Sequence, residues 1–166
     1  MIEEWVSRRS AAAAIVLVTV ATATTVRAEV TRIVIDKTVS EAPAYKGKAF
    51  GERGQYEKLV GRAYGELDPR APRNALIQDI QLAPRNAKGR VEYVATFSLI
   101  KPADMSKASG LLFYEAVNRG NELTQRFLAG GHEDGEAFLA RRGAVILRSG
   151  WQADLPPTDK GNWGGK

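Results

Sequence analysis

A chain of 166 residues, 44% of them hydrophobic, is long enough to bury one core, and its net charge of +5 is mild. Without cysteine there are no disulfides and no thiol chemistry, and with His132 as the one histidine the sequence predicts no metal site. Because no basic block carries interleaved aromatic residues, we expect no nucleic-acid partner.

Residues 1–28 have the pattern of an export signal. Ser7-Arg8-Arg9-Ser10 precedes an uncharged run from Ala11 to Val26, and Val26-Arg27-Ala28 offers side chains that suit a signal peptidase. We predict a signal peptide over 1–28, an exported, periplasmic or secreted protein, and no stable membrane insertion after cleavage. An uncleaved anchor is the alternative, although the run is shorter than a spanning helix needs. The export route, general or twin-arginine, stays open.

The middle of the chain predicts an antiparallel meander. Val30–Val39 is rich in β-branched residues, and Gln55–Leu67 alternates, with small residues on one face that allow close packing: Gly61, Ala63 and Gly65. Leu76, Ile80 and Leu82 alternate with Ile77, Asp79 and Gln81, and this stretch is interpreted as part of the same meander. Val91–Leu99 alternates cleanly and predicts a half-buried strand.

The next stretch predicts a crossover unit. Leu111–Val117 and Ala144–Leu147 are short apolar runs, typical of parallel strands buried on both faces. Between them Glu136–Arg142 predicts a helix, with Asp134 placed to cap its start and Gly143 to end it in a left-handed turn. Ligands of such sheets bind at the carboxyl ends of the strands. Here those ends carry Asn118-Arg119-Gly120-Asn121 and Ser149-Gly150-Trp151-Gln152.

Several catalytic patterns are absent from the sequence. No serine lies in a Gly-x-Ser-x-Gly turn, so we predict no catalytic residue in this chain. His132, the one candidate base, lies in a glycine-rich passage beside acidic residues and is interpreted as a loop residue. No carboxylates are spaced as a glycosidase pair, and no phosphate-binding glycine motif occurs, so no cofactor is expected.

Five stretches taken together resemble a known family. They are Phe50-Gly51-x-x-Gly54-x-Tyr56-Glu57-Lys58-Leu59, Gly61-x-Ala63-x-Gly65-x-x-Asp68-Pro69, Ile77-x-Asp79 continuing to Ala83-Pro84-Arg85-Asn86-Ala87-x-Gly89-x-Val91-Glu92-Tyr93, Asn118-Arg119-Gly120-Asn121, and Ser149-Gly150-Trp151-Gln152-x-Asp154. In this order they resemble the start of exported bacterial α/β-hydrolase-domain proteins, which are longer than this chain. The resemblance covers about Val30 to Leu155.

The resemblance implies an α/β fold in which an antiparallel β-meander leads into the start of a parallel α/β-hydrolase-type sheet, incomplete here. Residues 29–166 would be the N-terminal portion of that domain, inactive alone, in a serine hydrolase whose substrate is a small ester-like molecule. Asn118, Arg119 and Gly120 would form the oxyanion and substrate loop, and Gly150 and Trp151 a pocket wall. The alternatives are a structural turn in which Arg119 pairs with a carboxylate, Trp151 in the core, and a non-catalytic exported β-rich binding module.

Overall fold

The computed structural model describes residues 29–119, 121–123, 128 and 134–151. The predicted signal peptide 1–28 lies outside this part of the chain, as do His132, Gly120 and Gln152. The regular elements are β1 (Glu29–Ile35), β2 (Tyr56–Leu67), β3 (Val91–Pro102), β4 (Leu112–Ala116), the helix α1 (Asp134–Arg141) and β5 (Val145–Ser149).

The five strands form one mixed sheet in the order β1-β2-β3-β5-β4. The first three strands and β5 pair antiparallel, while β4 and β5 pair parallel. The predicted meander and the predicted parallel pair are therefore both confirmed. The sequence did not indicate that β5 inserts between β3 and β4, which leaves β4 at an edge of the described sheet.

The small-residue face of β2 is where β1 and β3 pack closely. A Cβ on Gly61 would stand 2.2 Å from the carbonyl oxygen of Val34, and one on Gly65 would stand 2.3 Å from the Tyr93 ring. Both distances are shorter than any real contact, so only glycine fits. The predicted close approach is confirmed, and the groups that approach the two glycines belong to β1 and β3 of the same chain.

The segment between β2 and β3 is not a strand. It contains two short 3-10 turns, Asn74–Leu76 and Ile80–Leu82, separated by Asp79 in a left-handed conformation with φ of 59°. A residue in that region of backbone space cannot continue an extended chain. The interpretation of this alternation as part of the meander is wrong. β1 likewise ends at Ile35, before a turn in which the Asp36 carboxylate accepts hydrogen bonds from Thr38.

The crossover helix runs from Asp134 to Arg141 instead of Glu136 to Arg142, so Asp134 lies in the helix rather than capping it. The predicted left-handed turn at Gly143 is confirmed. Gly143 has φ of 73°, its N–H donates to Ala140 at 2.9 Å, and the N–H of Ala144 donates to Leu139 at 3.1 Å. This is the Schellman pattern of a helix end. The Tyr56 hydroxyl donates to the carbonyl of Ala140 at 2.9 Å, which joins the helix end to β2.

The buried core lies between α1 and one face of the sheet, and its members come from β2, β3, β5, α1 and the loops beside them: Phe50, Tyr56, Ile100, Ala137, Leu139, Ala140, Ala144 and Ile146. β5 alternates between fully buried and half-buried residues, but β4 exposes Leu112 (56%) and Tyr114 (57%). The prediction that β4 is buried on both faces is wrong for the described residues, because β4 is an edge strand and these side chains lie in solvent.

Candidate functional site at the ends of the parallel strands

The carboxyl ends of β4 and β5 lie side by side, as the crossover pattern predicts. Ala116 and Ser149 are register partners, and the N–H of Val117 donates to the carbonyl of Ser149 at 3.2 Å. Val117, the first residue after β4, is buried, so the loop after β4 begins from a packed position. The two predicted loops therefore start from adjacent points at one edge of the sheet.

The loop after β4 is a tight turn. The N–H of Asn118 donates to the carbonyl of Asn121 at 3.1 Å, and the N–H of Asn121 donates back at 2.9 Å. Within the turn Arg119 has φ of 49°, a left-handed conformation that is uncommon for residues other than glycine. Because the N–H of Asn118 is used inside the turn, it is not directed at a substrate. Gly120 lies outside the described residues.

The two predicted pocket-wall residues differ in their surroundings. Gly150 is buried, and its N–H donates to the carbonyl of Thr96 at 2.9 Å, which extends the contact between β5 and β3. Trp151 is 62% exposed, so it is not a core residue. Its indole N–H donates to the carbonyl of Val117 at 2.8 Å, which holds the ring beside the end of β4.

Beneath this edge lies a charged network that sequence reasoning missed. Arg148 on β5 is fully buried, and its register partner on β4 is Glu115. Arg148 Nε donates to Glu115 Oε2 at 3.0 Å, and Nη1 donates to Glu136 Oε1 at 2.6 Å. Glu122 Oε2 lies 3.5 Å from the same Nη1. One guanidinium thus joins β4, β5, the first turns of α1 and the loop after β4.

The network also orders the loop and a distant turn. Glu115 Oε1 accepts a hydrogen bond from the backbone N–H of Leu123, which fixes the loop five residues beyond the turn's start. The hydroxyl of Tyr45 donates to Glu136 Oε2 at 2.8 Å. Tyr45 has φ of 53°, and a bulky residue in this conformation is strained. The contact with Glu136 is one of the interactions that hold it there.

The charges in this network change one another's proton affinity. Burial raises the pKa of Glu122, and Glu136 and Glu115 add to the effect against the opposing charges of Arg148 and Lys58. Burial by itself would lower the pKa of Arg148, but Glu136 and Glu122 outweigh it, so the pKa lies above its ordinary value. Burial and then the charge of Glu136 raise the pKa of the Tyr45 phenol well above its ordinary range.

Two buried polar atoms have no hydrogen-bond partner in the part of the chain that the structure describes. They are Arg148 Nη2 and Ser98 Oγ. Ser98 and Arg148 are register partners on neighbouring strands, so the two atoms belong to one region of the sheet. A signal for this region was present in the sequence, because Glu115 and Arg148 interrupt runs that are otherwise apolar.

A concave feature lies at the end of the β2–β3 hairpin where Leu67 pairs with Val91 and the connecting segment leaves the sheet. It is a groove of about 620 Å³, lined mainly by apolar side chains that include Leu67, Ile77, Ile80, Val91 and Tyr93. Among the described residues no group of three or more acidic or histidine side chains is arranged to bind a metal ion. The helices within the described ranges are too short or too polar to cross a bilayer.

Comparison with known proteins yields little. No protein-family model matches the sequence, and no curated protein matches it. A solved structure with detectable similarity is that of LipA, a rice cell wall degrading esterase from Xanthomonas oryzae, at 17% identity and a TM-score of 0.26. The match spans 58% of this chain and 22% of the esterase chain. A similarity of this size carries no argument about family or function.

Proposed function

We propose that this chain is the N-terminal part of an exported α/β-hydrolase-type enzyme that cleaves small esters or related acyl bonds through a serine acyl-enzyme. In this proposal the loop of Asn118, Arg119 and Gly120 contributes to an oxyanion hole through backbone N–H groups other than that of Asn118, which donates to Asn121 within the turn, and Gly150 and Trp151 form a wall of the acyl pocket. The printed sequence contains no Gly-x-Ser-x-Gly turn, so the nucleophile belongs to another part of the enzyme.

The observation that carries the proposal is the pairing of the two loops at one sheet edge. The Trp151 indole donates to Val117 O at 2.8 Å, next to a turn whose Arg119 has a left-handed backbone. Left-handed residues in turns are a component of the backbone concavities that bind anions, and an oxyanion hole is a site of this kind. The buried Arg148 network supports this loop from below, and a rigid support is what preorganised donors need.

A pair of Arg119 variants separates backbone from side-chain roles. Arg119→Gly keeps the N–H and relaxes a φ of 49°, whereas Arg119→Val puts a β-branched residue into a conformation it rarely adopts. In the enzyme encoded by the complete reading frame, we expect Arg119→Gly to keep kcat on p-nitrophenyl butyrate. We expect Arg119→Val to lower kcat by roughly 10²-fold, the loss seen when one oxyanion donor is removed. Equal losses would assign the role to the guanidinium instead.

The 166-residue chain by itself provides the complementary test. We expect no hydrolysis of p-nitrophenyl esters above buffer and no labelling by a fluorophosphonate probe, since the chain lacks the serine turn. Turnover by this chain would contradict the assignment of the nucleophile to another part of the enzyme. A complete reading frame that encodes no Gly-x-Ser-x-Gly turn would overturn the hydrolase proposal itself.

The alternative is a non-catalytic exported β-rich binding module. The groove of about 620 Å³ beside Leu67 and Tyr93 favours it, because apolar concave sites of this size are typical of small-molecule binding. The two functions differ in what they require of the fold. A binding module has to unfold as one cooperative unit, and thermal unfolding tests this requirement.

A further inference from the structure

The segment from Asp68 to Arg90, which joins β2 and β3, carries exposed leucines. Leu76 is 89% exposed and Leu82 is 82% exposed, one at the end of each 3-10 turn. Between them Ile77 is 47% exposed. Side chains this exposed contribute almost nothing to the core. A single exposed leucine is ordinary, but three large aliphatic side chains within seven residues form a patch.

The same segment is basic. It contains Arg70, Arg73, Arg85, Lys88 and Arg90 against Asp68 and Asp79, a net charge of +3. Arg73, Arg85 and Lys88 are exposed. Three of the five cations have acidic partners, Arg70 with Asp68, and Lys88 and Arg90 with Glu66. Arg73 and Arg85 form no salt bridge with any acidic residue that the structure describes, so their charge is available to an anionic surface.

We propose that this segment docks reversibly on an anionic lipid surface, with Leu76 and Leu82 entering the interface between headgroups and acyl chains. Exposed aliphatic side chains flanked by arginine and lysine are the combination that such interfaces bind, by apolar burial together with attraction to anionic lipids. The segment has no aromatic residue, so it lacks the stacking surface of single-stranded nucleic-acid sites. This docking is independent of the proposed hydrolase function.

Asp79 gives the proposal a discriminating feature. It lies between the two leucine-bearing turns, it is exposed, and its charge opposes approach to anionic lipid. Asparagine tolerates the left-handed backbone at this position, so Asp79→Asn removes the charge while keeping the conformation. We expect Asp79→Asn to strengthen binding and Arg73→Gln to weaken it, each by roughly fivefold, the effect of one charge near such a surface.

The experiment uses the absence of native cysteine. The environment-sensitive dye NBD is attached to Leu76→Cys, to Leu82→Cys and, as a matched control, to Leu112→Cys, which replaces an exposed leucine on β4. Each labelled chain is titrated with vesicles of phosphatidylcholine alone and of phosphatidylcholine with 30% phosphatidylglycerol. A dye at a fixed position reports local contact, so binding through the apolar residues 11–26 does not imitate the result.

We expect the emission at positions 76 and 82 to rise several-fold and shift to the blue with anionic vesicles, to change little with neutral vesicles, and to fall back in 500 mM salt. The dye at position 112 should stay as in water. The proposal is overturned if positions 76 and 82 do not respond, or if position 112 responds equally. It is also overturned if the change appears without vesicles as protein concentration rises, because the patch would then bind a second copy of the chain.

Discussion

Arg148 is the centre of the buried ion-pair network at the edge where β4 and β5 end. Its fully buried guanidinium is the positive centre for Glu115, Glu122 and Glu136, which belong to three different segments. Transferring these charges from water has a large desolvation cost, which the close contacts of the guanidinium with Glu136 at 2.6 Å and Glu115 at 3.0 Å offset. The network should therefore be intolerant of losing the positive charge at its centre.

Replacing Arg148 by methionine should destabilise the protein by about 3–5 kcal/mol, because it leaves buried carboxylates without their counter-charge. Arg148→Lys keeps the positive charge but loses the planar guanidinium, whose N–H groups contact several carboxylates at once. We therefore expect a loss of stability between that of the wild type and that of Arg148→Met. Arg62→Met, an exposed arginine on β2, is the control and should change the free energy of unfolding by less than about 0.5 kcal/mol. Urea unfolding measures all three. Similar losses for Arg148→Met and Arg62→Met would contradict this account.

Glu122 predicts a pH dependence of definite sign. Because burial and its acidic neighbours raise its pKa above 4.5 in the folded state, the folded protein binds more protons than the unfolded chain in this window. The contribution of Glu122 to stability is therefore greatest below the unfolded pKa and declines as pH rises through the raised folded pKa. Glu122→Gln should flatten this part of the profile and raise Tm at pH 7.

Melting curves that begin at the ordinary carboxyl pKa of 4.5 and continue to alkaline pH test the Glu122 prediction, because the pKa of Glu122 lies above that value. The exposed Glu52→Gln is the control and should follow the wild type. If Glu122→Gln melted with the same pH profile as the wild type, Glu122 would have no part in the network's titration.

Three aspartates titrate below this range. Hydrogen bonds lower the pKa of Asp36, Asp68 and Asp104, so their stabilising contributions are present at higher pH and disappear below about pH 4. The Asp104 carboxylate, for example, accepts hydrogen bonds from the side chain and the backbone N–H of Ser106. The three carboxylates therefore do not obscure the Glu122 profile.

At the scale of elements, the contact between β1 and β2 depends on glycine. A side chain at Gly61 would meet the carbonyl oxygen of Val34 at 2.2 Å, and a backbone atom cannot move aside without moving its strand. The Phe97 ring, 3.0 Å from the same point, closes the position from β3. No larger residue fits at Gly61 without moving β1 or β3, although in the sequence Gly61 is only one of several small residues in β2.

Gly61→Ala should destabilise the protein by about 1–3 kcal/mol, the usual cost of overpacking, and loosen β1 from β2. Gly110→Ala is the comparison, because nothing lies within 4 Å of its added Cβ and its cost is limited to a φ of 82°. Hydrogen exchange of the β1 amides together with urea unfolding distinguishes the two variants. We expect fast exchange in β1 for Gly61→Ala only, and unchanged β1 protection in that variant would contradict the packing argument.

At the scale of the whole molecule, the described sheet has an edge at β1 and another at β4. The β4 edge exposes Leu112 and Tyr114, and exposed apolar edge strands favour pairing with other chains. If the chain is part of a larger hydrolase, we expect a broad thermal transition with aggregation. A binding module would give one sharp, reversible transition.

A substitution on the β4 edge tests the cause of that aggregation. Leu112→Lys puts a charge on the edge and should lower turbidity on heating, while Val39→Lys, at an exposed site near β1, should not. Equal protection by the two lysines would assign the effect to net charge rather than to the edge. Light scattering during a slow thermal ramp measures both variants.

The sequence by itself determined much of the local structure. Alternation predicted β2 and β3, the apolar runs predicted β4 and β5, and Gly143 marked the helix end, because each of these signals comes from neighbours along the chain. It also predicted that Asn118 and Trp151 lie at one edge, since the carboxyl ends of parallel strands meet there. It failed between β2 and β3, where the left-handed Asp79 interrupts an alternating pattern.

Only the tertiary structure decided which strands are neighbours and which charges are buried. The insertion of β5 between β3 and β4 places Arg148 opposite Glu115, and α1 brings Glu136 to the same guanidinium. Periodicity indicates which residues share a face of a strand. It does not indicate which distant segment packs against that face. A buried charge is tolerable only once those segments have met, so its place follows from the assembled fold.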